Sequence, residues 1–214
     1  MLDVAAILAQ AAARSPEAEA LVDGERRWTY RALLDAAERL AGGLGRLGLR
    51  PGDHVVSLCQ NTAEAALLHW AAQIARLAIT PLNWRATADE VDFCVGNAEA
   101  KALFYQEISA EAAMGAPSAA GIPRIGVGPE FEALLAGEPA RSAPDVEATS
   151  VMLNTPGPTG RPKGVPRSHR AERAAALAHV AQNRYGRGER TLGVMPLYHT
   201  MGVRALLASA LVDG

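Results

Sequence analysis

Residues 150–169 have the sequence SVMLNTPGPTGRPKGVPRSH, which predicts an apolar strand, a loop rich in glycine and proline, and the start of a helix. Glycines let a backbone approach a ligand closely, and the N–H groups of such a loop can point at phosphate oxygens. Lys163 adds a positive charge. These residue types suit a bound polyphosphate, although the GxxxxGK[ST] spacing of a Walker A loop is absent. On spacing alone, a plain glycine–proline turn explains the segment equally well.

Predicted strands and helices alternate along the rest of the chain. The strands are predicted as a hairpin within 21–30 that turns at Asp23-Gly24, and as single strands at 54–59, 78–82, 101–106, 149–153 and 191–195. The helices are predicted at 2–13, 29–47, 63–76, 87–97, 107–114 and 168–185, with a last helix after 195. Their predicted caps are Thr29, then Asn61 or Thr62, and a Thr87–Glu90 capping box. This alternation predicts an α/β fold with layered, mostly parallel sheets flanked by helices.

One segment has the composition of a linker. Residues 137–148, GEPARSAPDVEA, combine proline, glycine and charged residues and lack a periodic apolar pattern. We therefore predict an N-terminal α/β subdomain over 1–136 and the start of a second α/β subdomain, which carries the glycine-rich loop, over 149–214.

The overall composition is that of a globular protein, with 49% apolar residues, 21% charged residues and a formal net charge of -2. This balance gives no electrostatic reason to bind nucleic acid or an anionic membrane, so we expect neither partner. No uninterrupted apolar run reaches the roughly eighteen residues of a membrane span. The N-terminus also lacks the basic region of a signal peptide, and we expect a cytoplasmic location.

The remaining chemistry-bearing side chains show no ligand or catalytic spacing, and we assign no metal site. Cys59 and Cys94 lie in apolar runs and are expected to be buried, reduced thiols. The aromatic and imidazole side chains predicted to serve packing, an interface or the surface are His54, His69, His179, Trp70 and Trp84.

The loop also resembles the phosphate-binding signature of the adenylate-forming superfamily, TSGTTGxPKGV. This superfamily comprises acyl-CoA synthetases, peptide-synthetase adenylation domains and luciferases. The residues that match at the same spacing are Thr155, Gly157, Thr159, Gly160, Pro162, Lys163, Gly164 and Val165. Segments 47–64, 78–104 and 194–202 resemble three further motifs of the superfamily, in the same order. The resemblance implies an incomplete N-terminal adenylation domain.

The resemblance further implies an ATP-dependent carboxylate–CoA ligase, which forms an acyl-adenylate and then an acyl-CoA. Its implied ligands are ATP, Mg²⁺, coenzyme A and a small-molecule carboxylate. The residues that it assigns to the ATP phosphates are Thr155, Gly157, Thr159, Gly160, Lys163 and Gly164. The family position of His199 lines the acyl pocket near the α-phosphate and has a role in adenylation. An ordinary loop histidine is an equally good interpretation of His199.

Two departures from the family pattern predict a weakened enzyme. Pro156 and Pro158 stand where the family usually has hydroxyl residues, which removes hydroxyl groups and two backbone N–H donors. Losing two donors to a charged ligand would weaken ATP binding roughly a hundredfold or more. The C-terminal catalytic motifs of the family lie beyond Gly214. We therefore expect no activity from this chain alone, with a C-terminal polypeptide or a second copy as partner. The alternative is a non-catalytic remnant or a partner-binding fragment.

Overall fold

The computed structural model describes residues 2–155 and 162–214. Its α-helices are α1 (Ala5–Arg14), α2 (Tyr30–Arg46), α3 (Ala63–Ala75), α4 (Ala88–Asn97), α5 (Ala110–Gly115), α6 (Pro129–Leu134), α7 (His169–Asn183) and α8 (Thr200–Val212). Its strands are β1 (Glu19–Asp23), β2 (Arg26–Thr29), β3 (His54–Leu58), β4 (Ala78–Leu82), β5 (Ala102–Tyr105), β6 (Arg124–Gly126), β7 (Thr149–Thr155) and β8 (Lys163–Ser168). Short 3-10 helices cover Glu107–Ser109 and Pro117–Ala119.

Six of the strands form one sheet in the order β6-β5-β3-β4-β7-β8. Neighbouring strands from β6 to β7 in this order run parallel, whereas β8 returns antiparallel to β7 at the sheet edge. The predicted hairpin forms separately from β1 and β2, with Gly24 at φ 58° in its turn. The predicted fold class, α/β with mostly parallel strands flanked by helices, is confirmed.

Two clusters of buried apolar side chains cover the two faces of the sheet. Along β3, Val55 belongs to the cluster with α1, α2 and α3, whereas Val56 belongs to the cluster with α4 and α5. Successive side chains of a strand point to opposite faces, so a central strand covered on both faces is a nearly continuous apolar run. Helix α3 is itself apolar nearly all round, and eleven of its thirteen residues are buried.

Two of the predicted helix caps are confirmed. The Thr29 hydroxyl accepts a hydrogen bond from Ala32 N at 3.2 Å. At the start of α4, Glu90 N donates to Thr87 Oγ1 at 3.3 Å and Thr87 N donates to Glu90 Oε2 at 2.8 Å, which is the predicted capping box. Helix α3 begins after Thr62, but the Thr62 side chain does not cap it.

The structure differs from the sequence prediction in several places. Strand β6 and helix α6 were not predicted. The predicted strand at 191–195 is wrong: these residues form neither strand nor helix, and Leu192 and Val194 are 84% and 70% exposed. Their apolar pattern finds no strand partner among the described residues. Conversely, β8 was predicted as loop because of Gly164 and Pro166. It lies at the sheet edge, where a proline removes no ladder hydrogen bond.

The predicted linker, 137–148, contains no helix or strand. It runs along the helical layer, where Ala140 N donates to Glu38 O and Ser142 N donates to Ile74 O, both at 3.0 Å. Strands on both sides of this segment belong to the same sheet, and the division into two subdomains stays a prediction.

Both cysteines are buried free thiols, as predicted. Within residues 2–155 and 162–214, no helix combines the length and the apolar character that crossing a membrane requires.

Candidate functional site

The loops that follow the carboxyl ends of the parallel strands lie together at one end of the sheet, which we call its carboxyl edge. Residues 59–62 follow β3, residues 83–87 follow β4, and the glycine-rich loop follows β7, the neighbour of β4. Ligands of open α/β sheets bind outside the carboxyl ends of the strands. The candidate site therefore lies at this edge.

The glycine-rich loop is carried by the β7–β8 hairpin. Thr155, the last residue of β7, pairs with Lys163, the first residue of β8, and Thr155 Oγ1 donates to Lys163 O at 3.4 Å. Both side chains are exposed, and Lys163 forms no ion pair with any described residue. Hence the hairpin presents a hydroxyl and an unneutralised ammonium group side by side at the mouth of the loop.

Close packing holds the base of this hairpin. Gly164 pairs with Asn154 across the two strands, and a Cβ atom at Gly164 would lie 2.8 Å from Met152 Sδ and 3.0 Å from Asn97 Oδ1. Gly164 thus lies close to the ends of two side chains, one of them on α4. The Asn154 carboxamide is buried and has no hydrogen-bond partner within the described ranges.

Three of the predicted phosphate-binding residues, Gly157, Thr159 and Gly160, lie outside the described residues, as do Pro156 and Pro158. Among the predicted residues that are described, the structure brings Thr155, Lys163 and Gly164 together on the hairpin. His199 belongs to a different part of the same molecule.

A cleft of about 380 Å³ opens at the carboxyl ends of β3 and β4. Gln60, Asn61 and Thr62 form one wall, and Trp84 adds an aromatic ring from the loop after β4. The opposite wall is the irregular segment before α8; its lining residues are Gly193, Val194, Pro196 and Tyr198. The lining combines amide and hydroxyl groups with two aromatic rings.

Hydrogen bonds fix the β3 wall of the cleft. Gln60 N donates to Gln106 Oε1 at 2.7 Å, and Gln106 Nε2 donates to Thr62 Oγ1 at 3.1 Å. Thr62 Oγ1 thus accepts from Gln106 rather than from the first turn of α3. On the neighbouring loop, Ser109 Oγ donates to Trp84 O at 2.8 Å, and the Arg85 guanidinium lies 3.7 Å from the centre of the Trp84 ring.

His199 lies at the N-terminal end of α8, directly after the cleft residue Tyr198. Its side chain is exposed, and its ring centre is 4.8 Å from that of Tyr198. The backbone N–H of His199 donates to Pro196 O at 2.9 Å. No hydrogen bond joins His199 to Thr155 or Lys163 in the part of the chain that the structure describes. The structure thus places His199 next to the cleft and separately from the hairpin.

Cys59, which precedes the cleft residues, is not a nucleophile. Burial, with a smaller contribution from Glu64, raises the pKa of its thiol to about 12, so the group stays protonated at neutral pH. Among residues 2–155 and 162–214, no three His, Cys, Asp or Glu side chains come together in a way that could hold a metal ion.

Sequence reasoning missed several of the cleft residues. Asn61 and Thr62 were predicted only as alternative helix caps, and Trp84 was predicted as a core or interface residue. The available signal was their position, because each directly follows a buried parallel strand. The other wall was missed because 191–195 was predicted to be a strand.

Comparison with known proteins identifies the family. The sequence profile described as AMP-binding enzyme matches residues 8–214. The chain is 30% identical, over 93% of its length, to the "3-[(3aS,4S,7aS)-7a-methyl-1,5-dioxo-octahydro-1H-inden-4-yl]propanoyl:CoA ligase" of Mycobacterium tuberculosis, of which it covers 43%. It is 29% identical, over 99% of its length, to the long-chain-fatty-acid–CoA ligase FadD13 of the same organism, of which it covers 44%.

The solved structures agree with this assignment. The inhibitor-bound N-terminal domain of FACL13 from Mycobacterium tuberculosis matches with a TM-score of 0.92 and 25% identity, over 100% of this chain and 56% of that one. The chain thus spans less than half the length of the two curated relatives. Its sequence and its fold place it in the AMP-binding enzyme family, as a part that matches the N-terminal region of AMP-forming acyl-CoA ligases.

Proposed function

We propose that this chain is the N-terminal part of an ATP-dependent carboxylate–CoA ligase. The observation that carries the proposal is the β7–β8 hairpin, which sets Thr155 beside Lys163 at the carboxyl edge of the sheet. Lys163 forms no ion pair with the residues that the structure describes. The relatives that cover most of this chain bear the names of CoA ligases. These names differ in the acid, so the proposal extends to a carboxylate and no further.

In the proposed reaction, a carboxylate oxygen attacks the α-phosphorus of ATP, and the bond to the bridging oxygen of the β-phosphate breaks. The products are an acyl-adenylate and pyrophosphate, and the thiolate of coenzyme A then attacks the acyl carbonyl and displaces AMP. Lys163 and Thr155 contribute by binding the β- and γ-phosphates and by stabilising the charge of the leaving pyrophosphate. The loop residues Gly157, Thr159 and Gly160, with Gly164, complete the proposed phosphate site.

His199 and the metal have more limited roles in this proposal. His199 lies beside the cleft, where its ring could contact the carboxylate end of the acyl group. The described residues contain no ligand cluster for Mg²⁺, so we assign the ion no ligand here. The proposal also keeps the cytoplasmic location and the need for a C-terminal polypeptide that the sequence predicts.

One observation favours the second candidate, a non-catalytic chain that binds a partner. Several large apolar side chains of the C-terminal third are exposed at 40% or more: Val165, Leu177, Leu192, Val194, Met195 and Met201. Three of them, Leu192, Val194 and Met195, fall within four consecutive residues, and a contiguous exposed apolar patch marks an interaction site. A covering polypeptide is compatible with both candidates, so ATP binding distinguishes them.

Calorimetry of the 214-residue chain with ATP-Mg tests the proposal. We expect binding at millimolar or lower concentration, weakened about 10-fold to 100-fold by Lys163→Ala because a charge-assisted contact contributes about 1.5–3 kcal/mol. The matched control is Lys101→Ala. Lys101 is the only other lysine, is also exposed, and lies directly before β5, at the amino ends of the parallel strands. Binding that Lys101→Ala weakens as much as Lys163→Ala would contradict the proposed site.

A second measurement tests the expectation that the chain alone does not complete the reaction. Pyrophosphate release with aliphatic and aromatic acids should stay at background for the isolated chain. If the chain neither binds ATP-Mg nor releases pyrophosphate, the partner-binding candidate is the better description.

A further inference from the structure

Asn61 joins the two walls of the cleft through its side chain. Its Nδ2 donates to Gly193 O and to Met195 O, both at 2.9 Å, and its Oδ1 accepts from Leu197 N at 3.0 Å. The carboxamide thereby uses both of its N–H groups and its oxygen on the backbone of one segment. That segment lies more than 130 residues away in sequence.

Three hydrogen bonds from Asn61 and contacts with the start of α8 hold the segment 191–198. It forms no helix or strand, and its internal hydrogen bond, from Val194 N to Leu192 O at 2.9 Å, is local. Within the described ranges, its hydrogen bonds to residues distant in sequence are those of Asn61, whereas Pro196 O accepts locally from His199 N. Leu192 and Val194 are mostly exposed, and the backbone of Met195 and Pro196 packs closely on Gly202 of α8.

We infer that Asn61 is a positioning residue, which sets the cleft width and holds Tyr198 and His199 against the carboxyl edge of the sheet. The inference rests on the proposed function, because it concerns the same site. Asn61 directly follows Gln60, whose N–H is held by Gln106. The carboxamide therefore links the end of β3 to an irregular segment whose other contacts are with the start of α8. A side chain that only capped α3 would not need both amide donors.

Hydrogen exchange of the 214-residue chain, measured by peptide or by residue, tests this role. In Asn61→Ala we expect the rate of hydrogen exchange in 191–199 to rise about tenfold or more. The loss of each bond shifts the equilibrium between the closed and the open segment about fivefold toward the open form. Asn61→Asp is a second variant of nearly the same size. It keeps the acceptor for Leu197 N but loses both donors, and its carboxylate faces the carbonyl oxygens of Gly193 and Met195. We expect it to release the segment as well.

The matched control is Asn83→Ala. Asn83 is also exposed and follows the neighbouring strand β4, but its side chain accepts only a local bond from Arg85 N, at 3.0 Å. Exchange in 191–199 should be unchanged in this variant. The NMR signals of the His199 ring should move in both Asn61 variants and stay in place in Asn83→Ala.

Two outcomes would overturn the inference. One is wild-type exchange in 191–199 in both Asn61 variants. The other is faster exchange across the whole chain with a lower unfolding midpoint, because Asn61 would then support overall stability rather than this segment. Absence of ATP-Mg binding by the wild-type chain would refute the proposed function alone, since it leaves the exchange of 191–199 unaffected.

Discussion

Two neighbouring residues at the base of the β7–β8 hairpin differ in their surroundings. Lys163, which we propose binds phosphate, is exposed and forms no ion pair with a described residue. Gly164, the next residue, lies close to the ends of the Met152 and Asn97 side chains. A side chain at Gly164 would have to displace them.

Gly164→Ala tests this packing. The new Cβ would stand 2.8 Å from Met152 Sδ, which belongs to the end of a flexible side chain and can shift, so we expect a loss of at most about 1 kcal/mol in the free energy of unfolding. Denaturant titration measures the loss. Gly45→Ala is the control: Gly45 lies within α2 with no atom within 4 Å of its Cβ position. Alanine there should stabilise the protein by up to about 1 kcal/mol. Equal effects of the two substitutions would contradict the packing argument.

At the scale of elements, the short helix α4 supports the hairpin. Its last residue, Asn97, approaches Gly164, and its buried residues Val91, Cys94 and Val95 pack on one face of the sheet. A helix of ten residues is too short to be stable by itself, so its ends and its packing decide its stability. The Thr87–Glu90 capping box fixes the end that faces away from Asn97.

We predict that Thr87→Ala lowers the free energy of unfolding by about 1 kcal/mol, because Glu90 N loses its acceptor. Thr87→Ser keeps a hydroxyl at the same position and should retain most of the wild-type stability. Thermal unfolding of the three proteins gives the comparison. The capping argument fails if the serine variant is destabilised as much as the alanine variant.

At the scale of the whole molecule, buried histidines join distant parts of the chain. His69 on α3 is 2% exposed, and His169 at the start of α7 is fully buried. His169 Nδ1 accepts from Val4 N at 3.4 Å, which ties the N-terminal segment to α7. Burial, together with the neighbouring His169, lowers the pKa of His69 to about 4. The folded protein therefore keeps this side chain neutral.

This burial predicts a pH dependence of stability. Between the ordinary pKa of 6.5 and the folded pKa of about 4, the unfolded chain binds a proton at His69 that the folded chain does not bind. The free energy of unfolding should therefore fall as the pH is lowered through this range, by about 3 kcal/mol for this residue. His69→Gln should show a flatter dependence in denaturant titrations between pH 7 and pH 4. Parallel curves for the two proteins would refute this account.

Periodicity and local chemistry determined most of the fold from sequence. Buried parallel strands are mostly apolar runs, which identified β3, β4, β5 and β7, and the caps at Thr29 and Thr87 use neighbours within three residues. The family followed from motif residues in a fixed order. The hairpin residues Thr155, Lys163 and Gly164 were predicted together for the same reason.

Tertiary structure alone decided the features that depend on distant partners. Whether 191–195 becomes a strand depends on a free sheet edge, and its sequence carries no information about that edge. Whether Asn61 caps a helix or holds a remote segment depends on which backbone groups the fold brings to its carboxamide. The neighbouring residues limit which local hydrogen bonds a side chain can form. Contacts with residues more than a hundred positions away decide whether it forms them. The sequence by itself therefore determined the lineage and the sheet, and the tertiary structure determined the cleft.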